Sequence, residues 1–111
     1  MHNESHYQKL DNGEEFWYDD NGNYHRTDGP AYIYHGSEWW YFHGKQHRVG
    51  GPAYESINGV KVWYFNDQRH RIDGPAVIVM DGIKQYWYKG ERISEKVYYS
   101  DEFQCKMIME V

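Results

Sequence analysis

The chain has 111 residues, a length that suits one domain. Its formal net charge is −5 and it has no basic cluster, which argues against nucleic-acid binding. No segment approaches the ~18 apolar residues of a membrane-spanning helix, and the polar first residues lack the apolar stretch of a signal peptide. Because Cys105 is the single cysteine, an internal disulfide is excluded, and we expect a cytoplasmic protein without membrane attachment.

Aromatic residues dominate the apolar composition. The chain contains 12 tyrosines and 5 tryptophans, whereas its single leucine is Leu10. Disordered segments are poor in aromatic residues, and aromatic residues are enriched in strands. The composition therefore predicts a folded, β-rich protein that packs with aromatic rings.

Four glycines recur every 23 residues and mark the first set of turns; they are Gly13, Gly36, Gly59 and Gly82. Each follows Asn, His or Asp, and Asn-Gly or Asp-Gly between apolar runs predicts a two-residue type I′ turn, with positive φ at both residues. A short apolar run precedes each turn, and an aromatic run follows it. The pattern predicts four β-hairpins, over about residues 6–18, 31–42, 53–65 and 76–88.

A heptapeptide follows each of the first three hairpins. Its copies are His-Arg-Thr-Asp-Gly-Pro-Ala (25–31), His-Arg-Val-Gly-Gly-Pro-Ala (47–53) and His-Arg-Ile-Asp-Gly-Pro-Ala (70–76). Their prolines lie 22 and then 23 residues apart, and proline suits the start of a strand because it cannot donate to the ladder. We expect a polar connection in which Asp28 and Asp73 form Asx-type turns and pair with Arg26 and Arg71. Gly50 replaces this aspartate in the second copy.

The repeat pattern stops at Ile93, and a different segment follows. Ser100 or Asp101 is a suitable helix N-cap with acidic residues in the first turn, and Phe103 and Met107 would form an apolar stripe. A repeat array needs an atypical terminal segment to cover its open end. We therefore predict a short helix that caps the array.

Together these elements predict an all-β fold. It is an elongated antiparallel meander of four repeated β-hairpins with a 22–23-residue period and a short C-terminal helical cap. We expect one domain, residues 1–111, with hairpin repeats over about 6–93 and the cap over about 94–111.

The recurring Gly-Xaa-Xaa-Xaa-Trp-Tyr run, followed by His-Arg-Xaa-(Asp/Gly)-Gly-Pro-Ala, resembles the MORN-like β-hairpin repeat proteins. It is most similar to the repeats of this type in small phage and large-virus proteins. The resemblance covers about residues 6–93 and implies a scaffold or partner-binding surface. A lipid-headgroup role ascribed to some members fits poorly here, because the connection is longer and the chain is acidic.

No arrangement of residues predicts catalysis. The sequence has no nucleophile–base–acid pattern and no glycine-rich phosphate loop, so we expect neither an enzyme nor a cofactor. His25, His47 and His70 share one repeat position and could align, but a metal site needs convergent ligands, so we expect no metal.

We expect a non-enzymatic interaction module that binds a protein partner. The resemblance implies a phage- or virus-encoded protein that binds a host protein and antagonises a host defence or regulatory system. Tyr, Trp and Arg dominate binding hot spots, so the aromatic strands and the arginine row form the candidate surface. Its residues are Trp40, Trp63, Tyr41, Tyr64, Arg26, Arg48 and Arg71.

Three alternatives stay open. The aromatic rows could serve only internal packing. The arginines with neighbouring aromatic rings could bind a small phosphorylated nucleotide signal, so that the protein acts as a sponge. Finally, open sheet edges could stack copies end to end, which would make the chain a structural, homo-oligomeric subunit.

Overall fold

The computed structural model describes residues 5–110, so residues 1–4 and 111 of the predicted domain lie outside the described part. The strands are β1 (His6–Lys9), β2 (Glu15–Tyr18), β3 (Tyr32–Tyr34), β4 (Ser37–Trp39), β5 (Tyr41–Phe42), β6 (Lys45–Gln46), β7 (Tyr54–Glu55), β8 (Lys61–Val62), β9 (Tyr64–Phe65), β10 (Gln68–Arg69), β11 (Val77–Ile78), β12 (Lys84–Tyr88) and β13 (Glu91–Ile93). Two helices follow, α1 (Glu95–Tyr98) and α2 (Asp101–Met109).

Nine of these strands form one antiparallel sheet, in the order β1-β2-β3-β4-β7-β8-β11-β12-β13. The order follows the chain, with the short strands between them set aside in two smaller sheets. The molecule measures 49 × 36 × 18 Å. The predicted all-β, elongated antiparallel meander is confirmed.

Direct cross-strand pairing gives each face of this sheet its own row of side chains, because successive residues point to opposite faces. One row is apolar and consists of Phe16, Tyr32, Trp39, Tyr54, Val62 and Val77. The row on the other face is largely charged and consists of Glu15, Ile33, Glu38, Glu55, Lys61 and Ile78. Tyr32 of the apolar row is half-buried, and desolvation together with the nearby carboxylate of Glu14 raises the pKa of its hydroxyl to about 12.

The turns of the four main hairpins differ from prediction at three places. All four turns lie in the described part of the chain. Only the second, His35-Gly36, is the predicted two-residue turn with positive φ at both residues (50° and 82°). The other three loops have three residues, with a left-handed glycine last. In the first, Gly13 donates to the carbonyl of Leu10 at 3.0 Å and Leu10 donates to that of Glu14 at 2.8 Å. The prediction of two-residue turns was wrong there, because a type I turn closed by glycine accommodates the extra residue. This residue accounts for the change in proline spacing from 22 to 23.

The polar connections contain a second set of hairpins that the sequence analysis did not predict. Strands β5 and β6 pair around His43-Gly44, β9 and β10 around Asn66-Asp67, and β12 and β13 around Lys89-Gly90. All six turn residues have positive φ, as type I′ turns require. We call these the connector hairpins. Each is hydrogen-bonded to the next, as where Asp67 donates to the carbonyl of Gln46 at 2.8 Å, so they form a second row beside the main sheet.

The C-terminal cap covers the last strands. The predicted helix begins after the N-cap Ser100, whose side chain accepts the amide of Phe103. Helix α1, which was not predicted, has Ser94 as its N-cap. A core cluster forms where the helices meet the sheet, and its members are Tyr86, Tyr88, Tyr98 and Met107. Phe103 packs against this cluster, as the predicted apolar stripe of Phe103 and Met107 requires, whereas Met109 at the end of α2 is 79% exposed.

Candidate functional site

Each repeated arginine lies flat against a tryptophan of its own unit. The guanidinium carbons of Arg26 and Arg48 are 3.9 Å from the ring centres of Trp17 and Trp40, and the third pair, Arg71 over Trp63, is separated by 3.8 Å. Cation–π contacts of this kind stabilise by ~0.5–2 kcal/mol, depending on desolvation.

The same guanidinium groups close the heptapeptide loops. In each copy, Nη1 of the arginine donates to the carbonyl of the proline four residues later, and the partners are Pro30, Pro52 and Pro75 at 3.1, 3.1 and 2.9 Å. The glycine before that proline leaves room for the arginine. A Cβ atom at Gly29 would lie 2.7 Å from Cζ of Arg26, which is closer than real contacts allow. The conserved spacing of Arg, Gly and Pro within the repeats is therefore one structural unit, a folded loop that holds its arginine on a tryptophan.

The carboxylates of the heptapeptide distinguish the second copy from the others. Asp28 and Asp73 accept from Nε of Arg26 and Arg71 at 3.0 and 2.8 Å, which confirms the predicted pairing. Within residues 5–110, no carboxylate pairs with Arg48. Gly50 stands at the corresponding position with a φ of 87°.

The repeated histidines join one unit to the next. Nδ1 of His25, His47 and His70 accepts a backbone amide from the following connector hairpin; the donors are His43, Asn66 and Lys89 at 3.0, 3.1 and 2.9 Å. Their rings alternate with aromatic rings in a ladder of His25, Phe42, His47, Phe65, His70 and Tyr88, with centroids 4.4–6.2 Å apart. An accepting Nδ1 must be unprotonated, so the ladder is built from neutral imidazoles. No group of three His, Cys, Asp or Glu side chains among residues 5–110 could hold a metal ion.

We expect the ladder to weaken in mild acid. Burial lowers the pKa of His47 from its ordinary 6.5, and burial together with the charge of Lys89 lowers that of His70. The unfolded chain then binds more protons than the folded chain just below pH 6.5, so the free energy of unfolding should fall as the pH drops through and below this value. The midpoint of urea unfolding, measured at several pH values, should therefore decrease as the pH is lowered below 6.5. The double variant His47→Asn, His70→Asn keeps a side-chain acceptor at both positions and should reduce this pH dependence of the midpoint. An unchanged pH dependence would assign the effect to other groups.

A groove of about 930 Å³ lies between the second and third heptapeptide loops. Four of the predicted site residues line it, namely Arg48, Trp63, Tyr64 and Arg71. Its walls also include three exposed apolar side chains: Val49 (80% exposed), Phe65 (46%) and Ile72 (44%). The sequence analysis did not identify Val49 and Ile72 as site residues. They occupy the third position of the heptapeptide, which varies between the copies, and this variation was the one feature that could have marked them.

The remaining predicted residues lie outside this groove. Trp40 lies under Arg48, and Tyr41 packs against Tyr24 with ring centres 5.1 Å apart. Arg26 lines a separate, smaller cavity of about 290 Å³ together with Trp17. The structure therefore brings the second and third repeats together at one site and leaves the first repeat apart.

The groove carries more positive than negative charge, although the chain is acidic overall. Its lining includes Arg48, Arg71 and Lys89 against Asp73 and Glu110. Arg71 is paired with Asp73 at 2.8 Å, and Lys89 with Glu110 at 3.4 Å. Of the three cations that line the groove, Arg48 is the one that no carboxylate of residues 5–110 pairs with, and it precedes Val49, the most exposed apolar side chain of the groove.

No protein-family model, curated protein or solved structure matches this chain. No helix within residues 5–110 is long and apolar enough to cross a membrane.

Proposed function

We propose that the chain is a non-enzymatic interaction module that binds a protein partner in the groove between its second and third heptapeptide loops. The observation that carries the proposal is the convergence of three exposed apolar side chains, Val49, Phe65 and Ile72, on one groove. The groove also contains Arg48, with which no carboxylate of residues 5–110 pairs. Apolar and aromatic anchors beside an arginine are the composition of protein-binding hot spots.

The scaffold supports this role because it holds the groove rigidly. The walls are two heptapeptide loops, and each is fixed by its arginine on a tryptophan and by a hydrogen bond to proline. The floor includes Trp63, whose amide donates to the carbonyl of Ala76 at 2.8 Å. A preformed site loses little conformational entropy when a partner binds.

The resemblance to phage and viral repeat proteins suggests the identity of the partner. On that basis the partner is a host protein in the cytoplasm, and binding antagonises a host defence or regulatory system.

A phosphorylated nucleotide is the second candidate ligand. The groove volume of about 930 Å³ falls in the range of small-molecule sites, and the groove combines aromatic rings with cations. Thermal-shift measurements with nucleotides test it, since a bound ligand raises the melting temperature and a flat response at millimolar nucleotide argues against it.

We expect Val49→Asp to weaken partner binding at least tenfold while leaving the fold intact. The side chain is 80% exposed, so the change removes an apolar contact and adds a negative charge at the groove without disturbing packing. Met80→Asp is the matched control, because Met80 is 66% exposed in a main turn outside the groove. Affinity capture from the native cell with quantitative mass spectrometry, followed by Kd measurement, gives the readout. If every captured protein binds both variants equally, the groove is not the interaction site.

A further inference from the structure

The three heptapeptide loops form an internal series in which one component varies. All three place the guanidinium on a tryptophan at 3.8–3.9 Å and bond it to a proline carbonyl. The first and third loops add a carboxylate on Nε, from Asp28 and Asp73. The second loop keeps the arginine in the same arrangement without that carboxylate.

The setting of Arg48 differs from that of Arg26 in a second respect, while Arg71 lines the same groove as Arg48. Arg48 lines the groove, whereas Arg26 lies in the smaller cavity next to its own Asp28. The groove that Arg48 lines also contains Val49, Ile72 and Phe65, all exposed and apolar. A guanidinium held in a fixed orientation on an apolar wall favours a planar carboxylate, because the fork of N–H donors matches its two oxygens.

We propose that a carboxylate of the protein partner, from an aspartate or glutamate flanked by apolar residues, binds Nε of Arg48 where the other two loops use their own aspartate. The partner thus completes the second loop from outside. This inference rests on the proposed function and specifies the chemistry of the partner. The flanking apolar residues contact Val49 and Ile72, while the net positive charge of the groove attracts the acidic segment.

Filling the position from within the chain tests the proposal. Gly50→Asp places an aspartate at the heptapeptide position of Asp28 and Asp73, although neither of those residues has the positive φ of Gly50. Gly50→Asn is the matched control for this backbone difference. Both changes meet the same positive φ of 87°, which Asn and Asp tolerate best after glycine. We expect Gly50→Asn to bind the partner within threefold of the natural chain and Gly50→Asp to bind at least tenfold more weakly.

The outcomes separate this inference from the proposed function. If Val49→Asp abolishes binding while Gly50→Asp and Gly50→Asn bind alike, the groove binds the partner but the carboxylate inference is wrong. If Val49→Asp has no effect on any partner, the proposed function itself fails, and the inference fails with it.

A second measurement needs no partner. In ¹⁵N-labelled protein at constant pH and ionic strength, sodium acetate should shift the Nε–H resonance of Arg48 at least twice as far as those of Arg26 and Arg71, which already bind carboxylates. Gly50→Asp should remove this response. Equal shifts at the three arginines would overturn the inference, as would a response of Arg48 to inorganic phosphate but not to acetate, which would indicate a phosphorylated ligand.

Discussion

Tyr98→Ala should lower the free energy of unfolding by about 3–5 kcal/mol, the usual cost of truncating a buried aromatic side chain. Tyr98 is fully buried, and its ring packs 4.8 Å from that of Tyr86. Its hydroxyl donates to the carbonyl of Arg71 at 2.6 Å and accepts the amide of Gly74 at 3.3 Å, so one side chain links the cap to the third heptapeptide loop. A loss of this size is a large fraction of the stability of a small domain.

Guanidinium chloride denaturation followed by tryptophan fluorescence measures this effect. Tyr99→Ala is the control, because Tyr99 is the next residue but is 53% exposed, and we expect less than half the loss. Tyr98→Phe should fall between the two, since it keeps the ring but leaves the carbonyl of Arg71 and the amide of Gly74 without their partner. Equal midpoints for Tyr98→Ala and Tyr99→Ala would show that the cap does not anchor the array.

Gly29→Ala should cost about 2–4 kcal/mol, because the new methyl group displaces a charged hydrogen bond and a cation–π contact together. The added Cβ would lie 2.7 Å from Cζ of Arg26. The guanidinium of Arg26 must shift to relieve this contact, and the shift strains its interactions with Trp17, Asp28 and the carbonyl of Pro30. The φ of Gly29 is not in the left-handed region, so steric conflict with Arg26, and not backbone strain, would cause the loss.

A double-mutant cycle with Arg26→Ala isolates this conflict. In the Arg26→Ala background the guanidinium is gone, so Gly29→Ala should cost far less than in the natural chain. Gly13→Ala is a useful contrast, because its Cβ would meet nothing within 4 Å while its φ of 95° is left-handed; its cost should be the same with or without Arg26. Additive costs for Gly29→Ala and Arg26→Ala would contradict the proposed contact.

The main hairpins could be predicted because their signals are local and repeated. A glycine at a constant interval and an aromatic run after it suffice to place β1–β4 and their counterparts. The connector hairpins could not, since the strands of the first two have two residues each. In addition, the turn Asn66-Asp67 contains no glycine, although both residues have positive φ. The length of the main turns could not be predicted either, because Asn-Gly occurs both in two-residue turns and at the end of three-residue turns.

The candidate site was predictable only in part, because its contacts join residues far apart in sequence. The pairing of Arg26 with Asp28 spans two residues and was predicted. The contact of Arg71 with Trp63, in contrast, depends on the connector hairpin that returns the chain between them. The groove needs two successive loops side by side. For that reason Val49 and Ile72, one repeat apart, gave no sign of a shared wall.

The link from each histidine to the following connector hairpin gives the array a direction. His25, His47 and His70 each need a unit after them, whereas the fourth unit has no such histidine and ends against Tyr98. We therefore expect that further repeats can be inserted before the fourth unit without removing the cap. Duplicating residues 47–69 in tandem would add a second copy of the Arg48 loop, with glycine in place of the aspartate, beside a second groove. The number of proposed binding sites would then rise from one to two, and a partner with two matching segments would gain avidity.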